Sequence, residues 1–214
     1  MSKNPQKGLE ADLLKAPVVP VMVIEDVKQA VPLARALVKG GLPVLEITLR
    51  TKAALDCIKA IVAEVEGAIV GSGTVLDAKQ LRASEKAGCV FAVSPGSTLK
   101  LLKAAKDHKI SLLPGSASAS EAMHLLEHGY ALQKFFPAEA AGGAPYLSSL
   151  ASPLPQIRFC PTGGITPALA PNYLKLSNVI TLGGSWMVPK ALVNEGKWDE
   201  IEKLAREAAA LRKA

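Results

Sequence analysis

Eight short apolar runs, recurring along 214 residues, constrain this chain more than any other feature. They occupy residues 18–24, 44–48, 69–74, 91–94, 111–114, 132–136, 158–161 and 179–183. Between them lie segments with apolar residues at helical spacing, such as 27–38 and 78–87, followed by Gly40-Gly41 and Ala87-Gly88. Short apolar runs bounded by turn residues read as buried strands, and the intervening periodicity reads as helices. Strands alternating with helices imply right-handed βαβ units and a parallel sheet. Eight such repeats in a chain of this length predict one domain over 1–214, a closed (β/α)8 TIM barrel, with residues 1–16 as a short lead-in helix beneath it. The alternative is an open doubly wound sheet. Its signature, Gly-x-Gly-x-x-Gly after the first strand, does not occur there. Aromatics make up only 4% of the chain, so the core has to be built from Val, Ile, Leu and Ala, as covered parallel strands are.

The net charge of +6 points to an anionic partner. The basic residues are interspersed with acids, as in Glu202-Lys203-Leu204-Ala205-Arg206-Glu207, and no basic run is interleaved with aromatics. A nucleic acid is therefore a poor fit and a small anionic substrate a better one. Cys57, Cys89 and Cys160 are odd in number and far apart, which suits free thiols in a reducing compartment rather than disulfides. The first residues mix Lys3, Lys7, Glu10 and Asp12 without a signal-peptide core, and no apolar stretch reaches membrane-span length. The expectation is a cytoplasmic protein with no membrane partner and no cofactor.

In a (β/α)8 barrel the active site lies at the C-terminal strand ends, so the reactive residues there matter most. In Leu132-Gln133-Lys134-Phe135-Phe136, alternation puts Leu132, Lys134 and Phe136 on one face. An ammonium held among apolar neighbours loses hydration, which favours the neutral amine. Such an amine can attack a ketone and form an imine. The competing reading is a lysine whose stem packs while its head reaches solvent. In Glu46-Ile47-Thr48-Leu49-Arg50 the polar residues also share a face, where a purely structural strand would be apolar. Glu46 could shuttle protons and Arg50 could fork onto a substrate carboxylate, unless the two simply pair with each other. Thr74 adds a hydroxyl at the glycine-opened end of Gly71-Ser72-Gly73-Thr74.

Two glycine pairs follow the last two strands, in Thr162-Gly163-Gly164-Ile165 and Gly183-Gly184-Ser185-Trp186. Glycine lets backbone amides approach an anion, and the loops after strands 7 and 8 hold phosphate in many barrels. Plain turns are the alternative. His124-Leu125-Leu126-Glu127-His128 fits an inverted zinc-peptidase pattern. It reads better as an amphipathic helix capped by Ser118 or Ser120. The third histidine, His108, lies on another predicted helix, so no metal site is expected.

Taken together, these segments resemble the 2-keto-3-deoxy-6-phosphogluconate (KDPG) aldolase family, including its 4-hydroxy-2-oxoglutarate (KHG) aldolase members. The resemblance extends from about Pro17 to the C-terminal helix. It rests on Pro17-Val18-Val19-Pro20-Val21, Val44-Leu45-Glu46-Ile47-Thr48-Leu49-Arg50 and Gly73-Thr74-Val75-Leu76. Lys134-Phe135-Phe136-Pro137-Ala138-Glu139, Arg158-Phe159-Cys160-Pro161-Thr162-Gly163-Gly164-Ile165 and Gly183-Gly184-Ser185-Trp186 complete it. It implies Lys134 as the Schiff-base lysine, Glu46 as the proton carrier, and Arg50 and Thr74 as holders of the pyruvate carboxylate. It further implies Phe136 as a pocket wall, Thr162, Gly163, Gly164 and Ser185 as phosphate contacts, and a homotrimer. Ser72 and Ser116 depart from the family pattern near strand ends, which leaves fine substrate preference open. A phospho-sugar isomerase or a catalytically silent phosphate-binding barrel remains the rival reading.

Overall fold

The computed structural model describes residues 6–211. Nine parallel strand segments and ten helices alternate through them. The strands are β1 (Val18–Met22), β2 (Val44–Thr48), β3 (Ile69–Gly73), β4 (Phe91–Val93), β5 (Ser111–Leu113), β6 (Gly115–Ser116), β7 (Leu132–Phe135), β8 (Arg158–Pro161) and β9 (Leu182–Gly184). The helices are α1 (Leu9–Leu13), α2 (Val27–Lys39), α3 (Ala54–Glu64), α4 (Ala78–Lys86), α5 (Leu99–Lys106), α6 (Ala119–Glu127), α7 (Gly143–Leu150), α8 (Ala170–Leu174), α9 (Lys190–Asn194) and α10 (Trp198–Ala209). Side-chain oxygens fix several helix starts. Asp26, Asp77 and Thr98 each accept a backbone N–H at the heads of α2, α4 and α5. Ser118, rather than Ser120, caps α6 in a reciprocal box with Glu121.

The strands form a six-stranded sheet, β5-β4-β3-β2-β1-β9, and a three-stranded sheet, β6-β7-β8. This is a barrel-like parallel α/β fold, but not the uninterrupted eight-stranded ring expected from the repeats. Proline makes one seam. Pro114 has no N–H to donate, so the fifth run divides into β5 and β6 around it. The Pro114 carbonyl still accepts from Lys134 N at 2.8 Å. At the other seam, only isolated bridges link the two sheets, Phe159 to Val179 and Thr162 to Gly183. The last run therefore pairs as a strand only from Leu182, three residues later than its hydrophobicity suggests.

Two apolar layers follow from strand alternation. The outer layer packs helices on strands, with Leu33, Leu37, Ile58, Ile61, Leu81, Leu125, Leu147 and Ile201 buried there. The inner layer holds Val19, Val44, Phe91, Val93, Leu113, Leu132, Cys160 and Ile180. Leu9 and Leu13 of α1 join that inner cluster, so the lead-in helix plugs the space between the strands from one end. Gln6 helps to seat it. Its amide donates to Leu112 O (2.9 Å) and Leu132 O (2.6 Å), and its oxygen accepts from Leu132 N (2.9 Å). One side chain thus mimics a peptide between β5 and β7, beside the seam at Pro114. With one end plugged, the opposite strand ends are left for a site.

Candidate active site

Interior-facing residues of β2 and β7 lead from the inner core to polar groups. Val44 and Leu132 belong to that core, and two residues further along each strand stand Glu46 and Lys134. Their intervening neighbours Leu45, Ile47 and Phe135 face the helices. Lys134 Nζ donates to Glu46 Oε1 at 3.4 Å, and the two side chains are only 7% and 5% exposed. Lys134 is therefore an interior lysine, not one that reaches solvent. Glu46 pairs with it rather than with Arg50, and Arg50 forms no ion pair with any described residue.

Space for this pair comes from β3. A Cβ at Gly73 would overlap Glu46 Oε1 and lie 2.8 Å from its Cδ and Cγ, while one at Gly71 would overlap the Phe91 ring. Glycine at these two inward positions makes room for a carboxylate and an aromatic. Immediately after them, Thr74 has φ 59°, alone among described non-glycine residues in the left-handed region. A β-branched residue there is strained by about 1–3 kcal/mol, so the surrounding structure has to hold this backbone turn.

Above the pair, the Phe136 ring centroid lies 5.3 Å from Lys134 Nζ. Phe136 also lines a cavity of about 280 Å³ with Arg50, Thr162, Gly163, Gly164 and Ser185. Six of the nine site residues expected from the sequence thus surround one space, and Lys134 and Glu46 lie beneath it; Thr74 is not part of the lining. Thr162 Oγ1 is buried without a hydrogen-bond partner. Gly183 lies so close that a Cβ on it would overlap that hydroxyl. A second recess of about 330 Å³ adjoins the cavity across Val21, Val23 and Ser185, flanked by the Lys190–Glu25 ion pair at 2.9 Å.

Val21 and Val23 of the cavity wall escaped the sequence reading, although alternation from the inward Val19 marks them. Cys160 is another such residue. It pairs in register with Lys134, and burial pushes its thiol up to about 12, against the pull of the Lys134 charge. The thiol therefore stays protonated near neutral pH.

The two serines that depart from the family pattern face away from the cavity. Ser116 Oγ donates to Gln133 Oε1 at 2.9 Å, and the Gln133 amide bonds to Ala122 O and Tyr130 O on the helix side. Ser72 alternates with the inward Gly71 and Gly73, so it faces the helices too. Neither serine side chain lines the cavity. The His124 and His128 rings stand 4.5 Å apart, and His128 Nδ1 lies 2.8 Å from the His124 carbonyl oxygen. Among the described residues no group of three or more His, Cys, Asp or Glu side chains could hold a metal ion. No helix among them is long and apolar enough to cross a membrane.

A buried amine–carboxylate pair lies beneath a glycine-walled cavity, on a barrel-like scaffold of parallel strands, an arrangement chemically suited to an enzyme acting on a small carbonyl compound. Residues 9–204 match the family described as KDPG and KHG aldolase. The chain is 52% identical over 206 residues to the KHG/KDPG aldolase of Escherichia coli (strain K12), covering 96% of this chain and 97% of that one. It superposes on the crystal structure of the Zymomonas mobilis ZM4 2-keto-3-deoxy-6-phosphogluconate aldolase with 3-phosphoglycerate at TM-score 0.92, with 51% identity and 98% of each chain covered. It also matches the Legionella pneumophila KDPG aldolase, captured with pyruvate as a covalent carbinolamine, at TM-score 0.91 and 42% identity, over 94% of this chain and 97% of that one. The chain belongs to the KDPG and KHG aldolase family, a group of carbon–carbon lyases.

Proposed function

We propose that this enzyme reversibly cleaves 2-keto-3-deoxy-6-phosphogluconate to pyruvate and glyceraldehyde 3-phosphate through a Schiff base on Lys134, with 4-hydroxy-2-oxoglutarate, cleaved to pyruvate and glyoxylate, as a second substrate. The observation that carries this reading is the contact of Lys134 Nζ with Glu46 Oε1 at 3.4 Å, buried beneath a cavity with a glycine-loop wall. The carboxylate is placed to take the ammonium proton, freeing the amine to attack the C2 ketone. Glu46 returns that proton to the carbinolamine hydroxyl, which leaves as water to give a protonated imine and a regenerated carboxylate. Glu46 then accepts the C4 hydroxyl proton as the C3–C4 bond breaks, and the bonding electrons pass through C3 to the imine nitrogen. The aldehyde leaves, the resulting enamine is protonated at C3, and water releases pyruvate from Lys134.

Arg50 and Thr74 take the substrate carboxylate in this scheme. Arg50 has no carboxylate partner among the described residues, and a guanidinium fork matches such a group. Phe136 walls the pocket. Thr162, Gly163, Gly164 and Ser185 take the phosphate, for which two positive-φ glycines are suited. We further read the two sheets as one closed (β/α)8 barrel across their bridged seams, within a cytoplasmic homotrimer as the family resemblance implies.

The test is borohydride reduction in the presence of pyruvate, together with pyruvate release from both substrates. Wild-type enzyme should carry one adduct on the peptide containing Lys134, and Lys134→Ala should lose both adduct and turnover. An adduct that survives Lys134→Ala would move the imine elsewhere, and no pyruvate from either substrate would leave the silent barrel or the isomerase as the better reading.

A further inference from the structure

Glu139 closes the 134–139 segment, yet the reaction above gives it no task. Its backbone N donates to Gly163 O at 3.1 Å, and Ala138 N donates to Thr162 O at 2.8 Å. The segment after β7 is thereby stitched to the loop after β8. The glycines of that loop have φ of 106° at Gly163 and 80° at Gly164, where other residues are strained. Glu139 lies directly against the second. A Cβ on Gly164 would stand 2.9 Å from both Cβ and Cγ of Glu139. The stem of Glu139 thus forms the wall against which the Gly164 backbone rests.

The carboxylate end is tethered as well. The Tyr173 hydroxyl, on a ring only 1% exposed within α8, donates to Glu139 Oε1. Burial raises the Tyr173 phenol above its ordinary value, and the bond to Glu139 and its charge raise it further. The phenol therefore remains a donor throughout the neutral range. Gly143 sits beside both partners, its Cβ position 3.5 Å from Glu139 Oε1 and from the Tyr173 hydroxyl, so a bulky side chain there would crowd the pair. A carboxylate otherwise free to swing beside this loop would repel a phosphate dianion. Tied to α8, it serves as a fixed prop.

We propose that Glu139, anchored by Tyr173, is a positioning residue that holds the Gly163-Gly164 amides in register for the substrate phosphate. This rests on the reading that the loop takes phosphate, and the experiment has to separate the two. Steady-state kinetics of the intact enzyme on 2-keto-3-deoxy-6-phosphogluconate and 4-hydroxy-2-oxoglutarate would be compared for Tyr173→Phe, Glu139→Ala, Glu139→Gln and Ser185→Ala. Tyr173→Phe and Glu139→Ala should each raise KM for the phosphorylated substrate roughly fivefold or more, leaving its kcat and both constants for the other substrate within about twofold. Glu139→Gln keeps an acceptor for the phenol and should stay within about twofold of wild type on both. Glu139 faces solvent, so Glu139→Ala supplies the result if Tyr173→Phe folds poorly.

Equal losses on both substrates, or unchanged KM in both anchoring variants, would overturn the positioning role. Ser185→Ala tells which reading failed. If it selectively weakens the phosphorylated substrate while the anchoring variants do not, only the role of Glu139 falls. If it too treats both substrates alike, the phosphate assignment falls and the inference falls with it.

Discussion

Adding one methyl group at Gly73 should disable this enzyme without unfolding it. Gly73 does not have a positive φ, so its backbone accepts alanine. The new Cβ would overlap Glu46 Oε1 and lie 2.8 Å from Cδ and Cγ, where ordinary contact begins at 3.4 Å. The carboxylate has to withdraw by about 1 Å to restore normal packing. Its contact with Lys134 is 3.4 Å, so such a displacement disturbs the proton-transfer geometry. A misplacement of that size costs about a hundredfold in rate. Overpacking adds about 1–3 kcal/mol of destabilisation, which a domain of this size survives. Lys134 itself is untouched, so borohydride should still trap pyruvate on Gly73→Ala, while continuous pyruvate release should drop about a hundredfold in kcat. Gly71→Ala is the matched control: its Cβ meets the Phe91 ring, so stability should fall by a similar amount with kcat largely kept. A folded Gly73→Ala enzyme turning over at near wild-type rate would refute the claim that this carboxylate, at this place, moves the proton.

Ser185→Ala should weaken the phosphorylated substrate by about 1.5–3 kcal/mol in kcat/KM, with little change for 4-hydroxy-2-oxoglutarate; equal losses in the same assay would remove Ser185 from the phosphate site. Gly183→Ala should act in the same sense, because its Cβ would displace the Thr162 hydroxyl; an unchanged KM for the phosphorylated substrate would argue that this hydroxyl does not contact the ligand. Gln6→Ala removes the side chain that bonds Leu112 and Leu132. Leaving those backbone groups unsatisfied should lower stability by about 1–3 kcal/mol in denaturant titration, with kcat unchanged at low temperature. A stability equal to wild type would mean that the plug does not need its amide clamp.

Much of this molecule could be read from spacing because its rules are local. A strand of period 2 that alternates Leu132 with Lys134, or Val44 with Glu46, announces its inward face within five residues. Helix heads at Asp26, Asp77, Thr98 and Ser118 are equally local, since the cap bonds an amide two or three positions away. What escaped depends on partners far along the chain. Pro114 visibly lacks a donor, but that its strand changes sheets follows from where β7 lies. The apolar character of residues 179–181 suggested an early strand start, whereas Thr181 instead donates its hydroxyl to Ala16 O at 2.8 Å. Ser116 and Ser72 stood near strand ends in sequence, yet their side chains turn to the helices, because alternation gives them the opposite face from the pocket. The seat of Gln6, and the bond from Tyr173 to Glu139, join residues with no local signature at all.

The division of the strands into two sheets has a consequence for how the enzyme comes alive. Glu46, Arg50, Thr74 and Ser185 are carried on or just beyond strands of the larger sheet, while Lys134, Phe136 and the Gly163-Gly164 loop belong to the smaller. Lys134 and Glu46 therefore come from opposite halves, and so do the Gly163-Gly164 loop and Ser185. On the proposed mechanism, catalytic competence requires the two halves to be mated, because neither half alone carries both Lys134 and Glu46. On that mechanism a parting of the seams separates Lys134 from Glu46, so activity should be lost before the helices melt.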